Sequence, residues 1–259
     1  MWDFRLPHFR RHALAVWRRN FLVWRRLLGP ALILHFGEPL IYLLGMGYGL
    51  GFFIRDIQGM SYLTFLASGI VASSVMNSTS LEGTYSVYTR MVPQMTYDAI
   101  LATPVATDDI LTGEILWCAT KGLISGTAIL AVAALLGAFH TWMAILAVPL
   151  MFLIGLCFAA PAIMVSTMSR GYDFFNYYFT LVITPMLILS GVFYPVSNLP
   201  HAVQRVVHLL PLTHAIALVR PLVAGGPVTH AAVHIAVLLA YAGAGFYVAV
   251  ILVRRRLLV

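Results

Sequence analysis

Ionisable side chains inside long apolar runs are the first places where this 259-residue sequence could do chemistry. A charge in hydrocarbon is costly, so each such group is a candidate for a substrate path, a relay or a structural pair. Glu38 lies about ten residues into the first run, roughly 15 Å deep at helical rise. His35 stands one turn before it and could pair with it, and Pro39 withholds a backbone donor, which predicts a kink. Two readings stay open for Glu38: a satisfied carboxyl at a bend, or a polar group lining a path. Lys121 is the only lysine and falls inside the third run. Its stem can snorkel back toward the near membrane edge, and Glu114, two turns earlier, is its candidate charge partner.

Other reactive residue types point away from catalysis. His230 and His234 stand at i and i+4, a spacing that could grip a metal, but the motif lacks the glutamate of a metalloprotease helix, and no Cys or carboxylate is near in sequence. An interfacial histidine pair is the expectation, and no metal. Cys118 has no evident base, and both Cys118 and Cys157 read as small buried hydrophobes. A Walker A loop needs Gly-Lys-Ser/Thr; Lys121 follows Thr120 inside an apolar run, so the chain has no P-loop. The acids Glu38, Asp56, Glu82, Asp98, Asp108, Asp109, Glu114 and Asp173 are scattered, so no convergent catalytic set emerges.

The elements that must position these residues follow from composition. Hydrophobic residues make up 61%, charged residues 10%, and the mean hydropathy is +0.89. A chain this apolar cannot cover itself with polar surface, which excludes a soluble globular domain and predicts an all-α polytopic membrane protein. Six stretches are long enough to cross: 28–54, 61–81, 115–138, 142–168, 174–194 and 231–253. A seventh, Val206–Val219, holds Pro211 and two histidines and precedes Arg220-Pro221; its length suits a re-entrant element within an external region at 195–230. The first long run begins near Leu28, exceeds a signal-peptide core and lacks an A-x-A exit, so no cleaved leader is expected.

The net charge is +7, and 15 of 16 cations are arginine. They flank apolar runs, which points to membrane lipids and not to nucleic acid. With six spans, Arg5, Arg10, Arg11, Arg18, Arg19, Arg25, Arg26, Arg90, Arg170 and Arg254–Arg256 share one side. Only Arg55, Arg205 and Arg220 fall on the other. The positive-inside bias therefore predicts two cytoplasmic termini. Residues 5–26 place Leu6, Phe9, Ala13, Val16, Trp17 and Trp24 on one helical face against arginines on the other, an amphipathic interfacial helix. The loop at 85–107 is too long for a tight turn. It predicts a short helix at Thr96–Leu101, with Tyr97, Ile100 and Leu101 as apolar contacts and Asp98 as a polar one for a cytoplasmic partner. Thr107 then suits the N-cap of the third span. Gly45–Gly49, Gly47–Gly51 and Gly122–Gly126 are small-residue pairs for close helix approach, within one chain or between two.

Two strings then carry a resemblance: SGVFYPVSNLP at 190–200 and LLPLTHAIALVRPLVAG at 209–225. The combination resembles the C-terminal motif of ABC-2 type permeases, here Gly191, Phe193, Pro195, Pro200, Pro211, Thr213 and Arg220. TYDAILATPVATDDILTGE at 96–114 resembles that family's cytoplasmic loop. Within it, GEILWCATK at 113–121 and the two strings look most similar to the NodJ-like branch, the permeases of nodulation-factor export. The resemblance covers essentially the whole chain. It implies a homodimer of permeases, each meeting one ATP-binding subunit that holds ATP and Mg. The contact would use the 5–26 helix and the 85–107 loop, with Tyr97, Asp98, Ile100 and Leu101 as coupling residues. It also implies paired external re-entrant helices, a bacterial inner-membrane location, and outward movement of a lipid-linked saccharide or lipooligosaccharide. Drug efflux by the same architecture and a membrane-embedded lipid-modifying enzyme are the rival readings; a secondary transporter would show repeats and intramembrane ion ligands, and neither is evident.

Overall fold

The computed structural model describes residues 5, 7, 10–26, 40–54, 56–139 and 141–257. His35, Glu38 and the first part of the first apolar run lie outside the described residues. Among the described residues the chain is helical almost throughout. Helix α1 spans His12–Arg25, α2 Leu40–Phe52 and α3 Tyr62–Leu81. A two-residue hairpin, Asp56–Ile57 with Met60–Ser61, links α2 to α3. A π-helical turn at Glu82–Ser86 carries α3 into α4, Val87–Met91. Then follow α5 (Thr96–Leu101), α6 (Thr107–Leu135), α7 (Ala147–Met168) and α8 (Asp173–Leu189). The chain closes with α9 (His201–Val207), α10 (Pro211–Ala224) and α11 (Ala231–Leu257).

Among the described residues three helices are long and apolar enough to cross a membrane: Thr107–Leu135, Trp142–Met168 and Ala231–Leu257. Helices α9 and α10 together form a fourth apolar unit, bent by 87°. The protein is therefore a helical membrane protein. Helix α6 has 29 residues, about 43 Å at helical rise. That exceeds a hydrocarbon core of about 30 Å, so the helix is long enough to carry its acidic first turns beyond an apolar layer of that thickness. It begins at Thr107, two turns before the predicted span. Thr107 is its first residue rather than its cap: the cap is Ala106, whose N–H donates to Asp109 Oδ2 at 3.1 Å. The predicted element Val206–Val219 divides differently. Pro211 opens α10, because a proline at the first helical position loses no bond, and the bend falls just before it, between the two helices.

Helix α3 is buried nearly all round, which its composition permits. Ser68 and Ser73 return their hydroxyls to the preceding turn, to the Phe65 carbonyl at 2.7 Å and the Ile70 carbonyl at 3.1 Å, and Ser74 meets Ser125 of α6 at 2.7 Å. Small residues bring backbones together. A Cβ at Gly126 would meet Val75 at 2.5 Å and Met151 at 2.9 Å, and one at Gly122 would strike Thr79 and Val75. The Gly122–Gly126 pair thus packs α3, α6 and α7 within one chain. The main core lies among these helices and α10, and a second cluster sits where α1, α4, α5, the start of α6 and the end of α11 converge. That second region is the basic end of the molecule; the Ser190–Gly226 segment marks the distal end.

Candidate functional site

At the basic end, four charged groups from three elements meet around one indole. The π turn puts Glu82 past the end of α3, where a widened helix re-aims a side chain. Arg90 follows on α4. Glu114, Trp117 and Lys121 share one face of α6 at i, i+3 and i+7. Arg90 donates Nε to Glu114 Oε1 at 3.0 Å and Nη2 to Oε2 at 2.7 Å, and its Nη1 donates to Glu82 Oε1 at 3.0 Å. The Trp117 indole donates to the same Glu82 oxygen at 2.9 Å. Lys121 Nζ lies 3.8 Å from Glu82 Oε2 and 5.6 Å from the centre of the Trp24 ring. All four charges are buried or nearly so. Buried charges survive only when paired and hydrogen-bonded, and the planar guanidinium fork satisfies two carboxylates at once.

Electrostatics follow from that geometry. Burial alone would raise the Glu82 carboxyl, but Arg90 and Lys121 outweigh it and hold the group below its ordinary range. Burial opposes the charge on Arg90, but Glu114 and Glu82 outweigh it and hold the guanidinium well above its ordinary value. Glu82 and Arg90 are therefore both charged at neutral pH.

Several predicted positions sit differently from expectation. Glu114 pairs with Arg90 and not with Lys121, because α4 inserts its guanidinium between them and Lys121 turns to Glu82. Tyr97 is not a surface contact. It is 2% exposed, packed in the second core cluster; burial and the neighbouring Glu114 carboxylate push its phenol well above its ordinary pKa. Among the described residues its hydroxyl has no hydrogen-bond partner. Asp98 is exposed, and Ile100 and Leu101 are half-buried. Ile100 lines a groove between α1 and α5 of about 490 Å³, with Val16, Arg19, Met95, Ala99 and Val105. Arg254 is not a free-standing orienting charge either: it is 6% exposed and forks Asp108 at the start of α6, Nε to Oδ1 at 2.8 Å and Nη2 to Oδ2 at 2.5 Å.

At the distal end, the residues of the C-terminal motif converge. Gly191 adopts φ +84°, a left-handed turn that favours glycine. Its carbonyl accepts from Arg220 Nη2 at 2.7 Å. Arg220 also donates to Ser68 Oγ at 3.0 Å and to the Phe65 carbonyl at 3.3 Å, with its guanidinium 3.7 Å from the Phe65 ring centre. Thr213 Oγ1 donates to the Val207 carbonyl at 2.9 Å, bracing the bend between α9 and α10. Pro195 precedes a short 3₁₀ turn and Pro200 precedes α9. His234 pairs with His214, Nδ1 to Nδ1 at 2.7 Å, and not with His230; α10 supplies a partner that sequence spacing could not show. Among the described residues no group of three or more His, Cys, Asp or Glu is placed to hold a metal.

Between the two ends, α2, α3 and α8 line a half-open cavity of about 240 Å³. Ser73, Ser74, Asn77 and Thr184 supply its polar atoms; Tyr42, Phe179 and Phe193 supply rings. Toward the basic end it meets an aromatic cluster in which Tyr85 packs edge-on to Phe175 at 4.9 Å and Tyr88 on Tyr172 at 5.1 Å.

Sequence reasoning missed Glu82, Arg90, Trp117, Asp108 and Arg254 as a working set. The i, i+3, i+7 spacing of Glu114, Trp117 and Lys121 was a usable signal for one polar face. The partners across from it were not readable, since each comes from a different helix.

Comparison with known proteins identifies relatives along most of the sequence. The profile of the ABC-2 type transporter family matches residues 9–223. Nodulation protein J of Rhizobium meliloti (strain 1021) is 44% identical over 246 residues, covering 95% of this chain and 94% of that protein. Nodulation protein J of Bradyrhizobium diazoefficiens is 41% identical over 245 residues, covering 94% and 93%. The inner membrane transport permease YadH of Escherichia coli is 26% identical over 201 residues, covering 77% and 76%. The chain belongs to the ABC-2 type transporter family, as a transport permease subunit of the NodJ-like branch.

Proposed function

We propose that this permease carries an amphipathic, lipid-linked saccharide or lipooligosaccharide outward across a bacterial inner membrane. The observation that supports this most directly is the cavity between α2, α3 and α8. Aromatic faces beside hydroxyl and amide groups suit a ligand with apolar and sugar-like parts. High similarity to proteins called Nodulation protein J adds weight to a nodulation-factor type of cargo.

Six crossings fit the proposal: the first apolar run ending in α2, then α3, α6, α7, α8 and α11. Both termini lie in the cytoplasm, and α9 with α10 dips back from the outer side. Two copies form the pathway, and each meets one separate ATP-binding subunit, which holds ATP and Mg. That subunit seats in the groove between α1 and α5. Tyr97 anchors α5 beside Arg90 and Glu114, so a push on α5 is transmitted to α3 and α6 through the buried ion network. Glu38 and His35, with Lys121, remain proposed polar groups of the span region.

Inside-out vesicles containing the chain and its co-expressed ATP-binding subunit should accumulate lipooligosaccharide only with hydrolysable ATP. Asn77→Leu, which strips the cavity of its amide, should reduce that uptake several-fold with assembly intact. ATP-driven uptake of hydrophobic drugs but not of saccharide would replace this reading with the efflux alternative.

A further inference from the structure

A second cavity, of about 350 Å³, opens behind α1 where it leans on the ion network. Its lining includes Arg19, Asn20 and Trp24 from α1, and Glu82, Arg90 and Lys121 from the bundle. The charges do not cancel. Arg90 is engaged by both Glu82 and Glu114, and Lys121 is drawn to Glu82. Among the described residues three cations stand near two carboxylates, and Arg19 is the one that forms no ion pair with either. Burial first, then the like charge of Arg90, push the Arg19 guanidinium below its ordinary value, with Glu114 offsetting only part of that.

The uncharged groups show the same deficit, and independently. Asn20 is 3% exposed. Its Oδ1 accepts from Arg19 Nη1 at 2.9 Å, which fixes the amide so that Nδ2 is the free donor. That Nδ2 and the Trp24 Nε1 are both buried, and neither has an acceptor among the described residues. A buried donor left unmade costs on the order of 1–3 kcal/mol, so two of them beside one surplus cation ask for an acceptor-rich anion. The ring of Trp24 packs edge-on to Trp117 at 5.9 Å, which holds its N–H in place.

We infer that this cavity is a phosphate-binding site, filled by the headgroup phosphate of an anionic phospholipid from the leaflet in which α1 lies. A phosphate offers several acceptor oxygens to the Arg19 guanidinium, the Asn20 amide and the Trp24 indole. The amphipathic α1 brings the cavity to headgroup depth. Bound there, the phosphate neutralises Arg19 and fixes α1 onto the network. The inference needs only the interfacial position of α1, not the identity of the cargo.

The test uses the full-length chain purified in detergent, with lipid retention read by native mass spectrometry. Phosphatidylglycerol and phosphatidylcholine are titrated separately, with inorganic phosphate as competitor. The wild-type chain should retain phosphatidylglycerol roughly tenfold more tightly than phosphatidylcholine, about one charge-assisted contact's worth of discrimination. Arg19→Gln should abolish that preference. Trp24→Phe, which keeps the ring and deletes only the donor, should weaken it several-fold. Arg18→Gln, the same charge change on the exposed face of α1, should leave it intact. Loss of bound lipid to millimolar inorganic phosphate would keep the anion site and reassign its source to free phosphate. Equal losses in Arg18→Gln and Arg19→Gln would overturn the proposal in favour of diffuse surface charge. Undiminished preference in both Arg19→Gln and Trp24→Phe would overturn it outright.

Discussion

Arg90 and Glu114, 24 positions apart, lock α4 to α6 through two parallel hydrogen bonds of 3.0 and 2.7 Å inside a nearly closed site. The guanidinium spends its remaining arm on Glu82. A relationship of this kind holds the loop helices to the bundle, and it sets the terms of the first test. Removing one member leaves a buried charge uncompensated, which costs about 3–5 kcal/mol. Glu114→Gln should therefore lower the thermal unfolding midpoint in detergent markedly, whereas Glu114→Gln with Arg90→Met should recover part of the loss. Additive losses in the double variant would dismiss the pairing.

The same cluster predicts a pH dependence. Glu82 is held below its ordinary carboxylate range in the folded protein. A depressed acid contributes stability that is present above its unfolded pKa, about 4.3, and is lost as pH falls through the folded value. The stability gap between wild type and Glu82→Gln should be constant from pH 7 to 5 and shrink below pH 4. Melting curves across that range check it; a gap that widens in acid would contradict the sign.

Arg254 and Arg255 are neighbours with the same charge and different surroundings. Arg254 forks Asp108 in a buried site, and Arg255 is exposed. Arg254→Ala should destabilise the chain by several kcal/mol, about 3 or more by the cost of orphaning Asp108. Arg255→Ala should cost under about 1 kcal/mol. Comparable midpoints for the two variants would mean that Arg254 serves only as an orienting charge.

At the distal end, Arg220 joins α10 to α3 and to the Gly191 turn. Lysine keeps the charge but cannot reach Ser68, Phe65 and Gly191 together. Arg220→Lys should insert normally, lose several-fold in export and gain protease sensitivity in the 195–230 segment. Wild-type export by this variant would remove Arg220 from the distal lock.

For partner docking, the informative position is Ala99 rather than Tyr97. Ala99 is exposed and lines the groove between α1 and α5. Ala99→Trp should fill that groove and cut co-purification of the ATP-binding subunit, while membrane insertion survives. Tyr97→Ala, by contrast, should lower stability itself, by about 3–5 kcal/mol for a large buried ring. If Ala99→Trp assembles fully, the docking surface lies elsewhere on α1.

Orientation is testable without function. Reporter fusions at Ser197 and after Val259 should read opposite sides of the membrane, with the C-terminus cytoplasmic. A periplasmic reading at Val259 would refute the six-crossing arrangement.

The sequence by itself determined the class of molecule. Its apolar runs exclude a soluble domain, and the arginine bias, the proline at 211 and the polar loop with its short helix at Thr96–Leu101 are all local features of the chain. So are the strings at 190–200 and 209–225, which carry the family resemblance. Local patterns are legible because hydropathy, helix punctuation and motif spacing act over one or two turns. The pairing of charges was not legible. Lys121 was matched to Glu114 because both lie on one helix; the tertiary structure instead brings Arg90 to Glu114 and Glu82 to Lys121. His234 likewise takes His214 in place of His230. Which faces meet was decided by small residues on distant segments, Gly122 and Gly126 against Val75 and Met151 among them. Close approach of backbones fixes the rotation of each helix about its axis. That rotation, which no single helix encodes, chooses the partner of every buried charge.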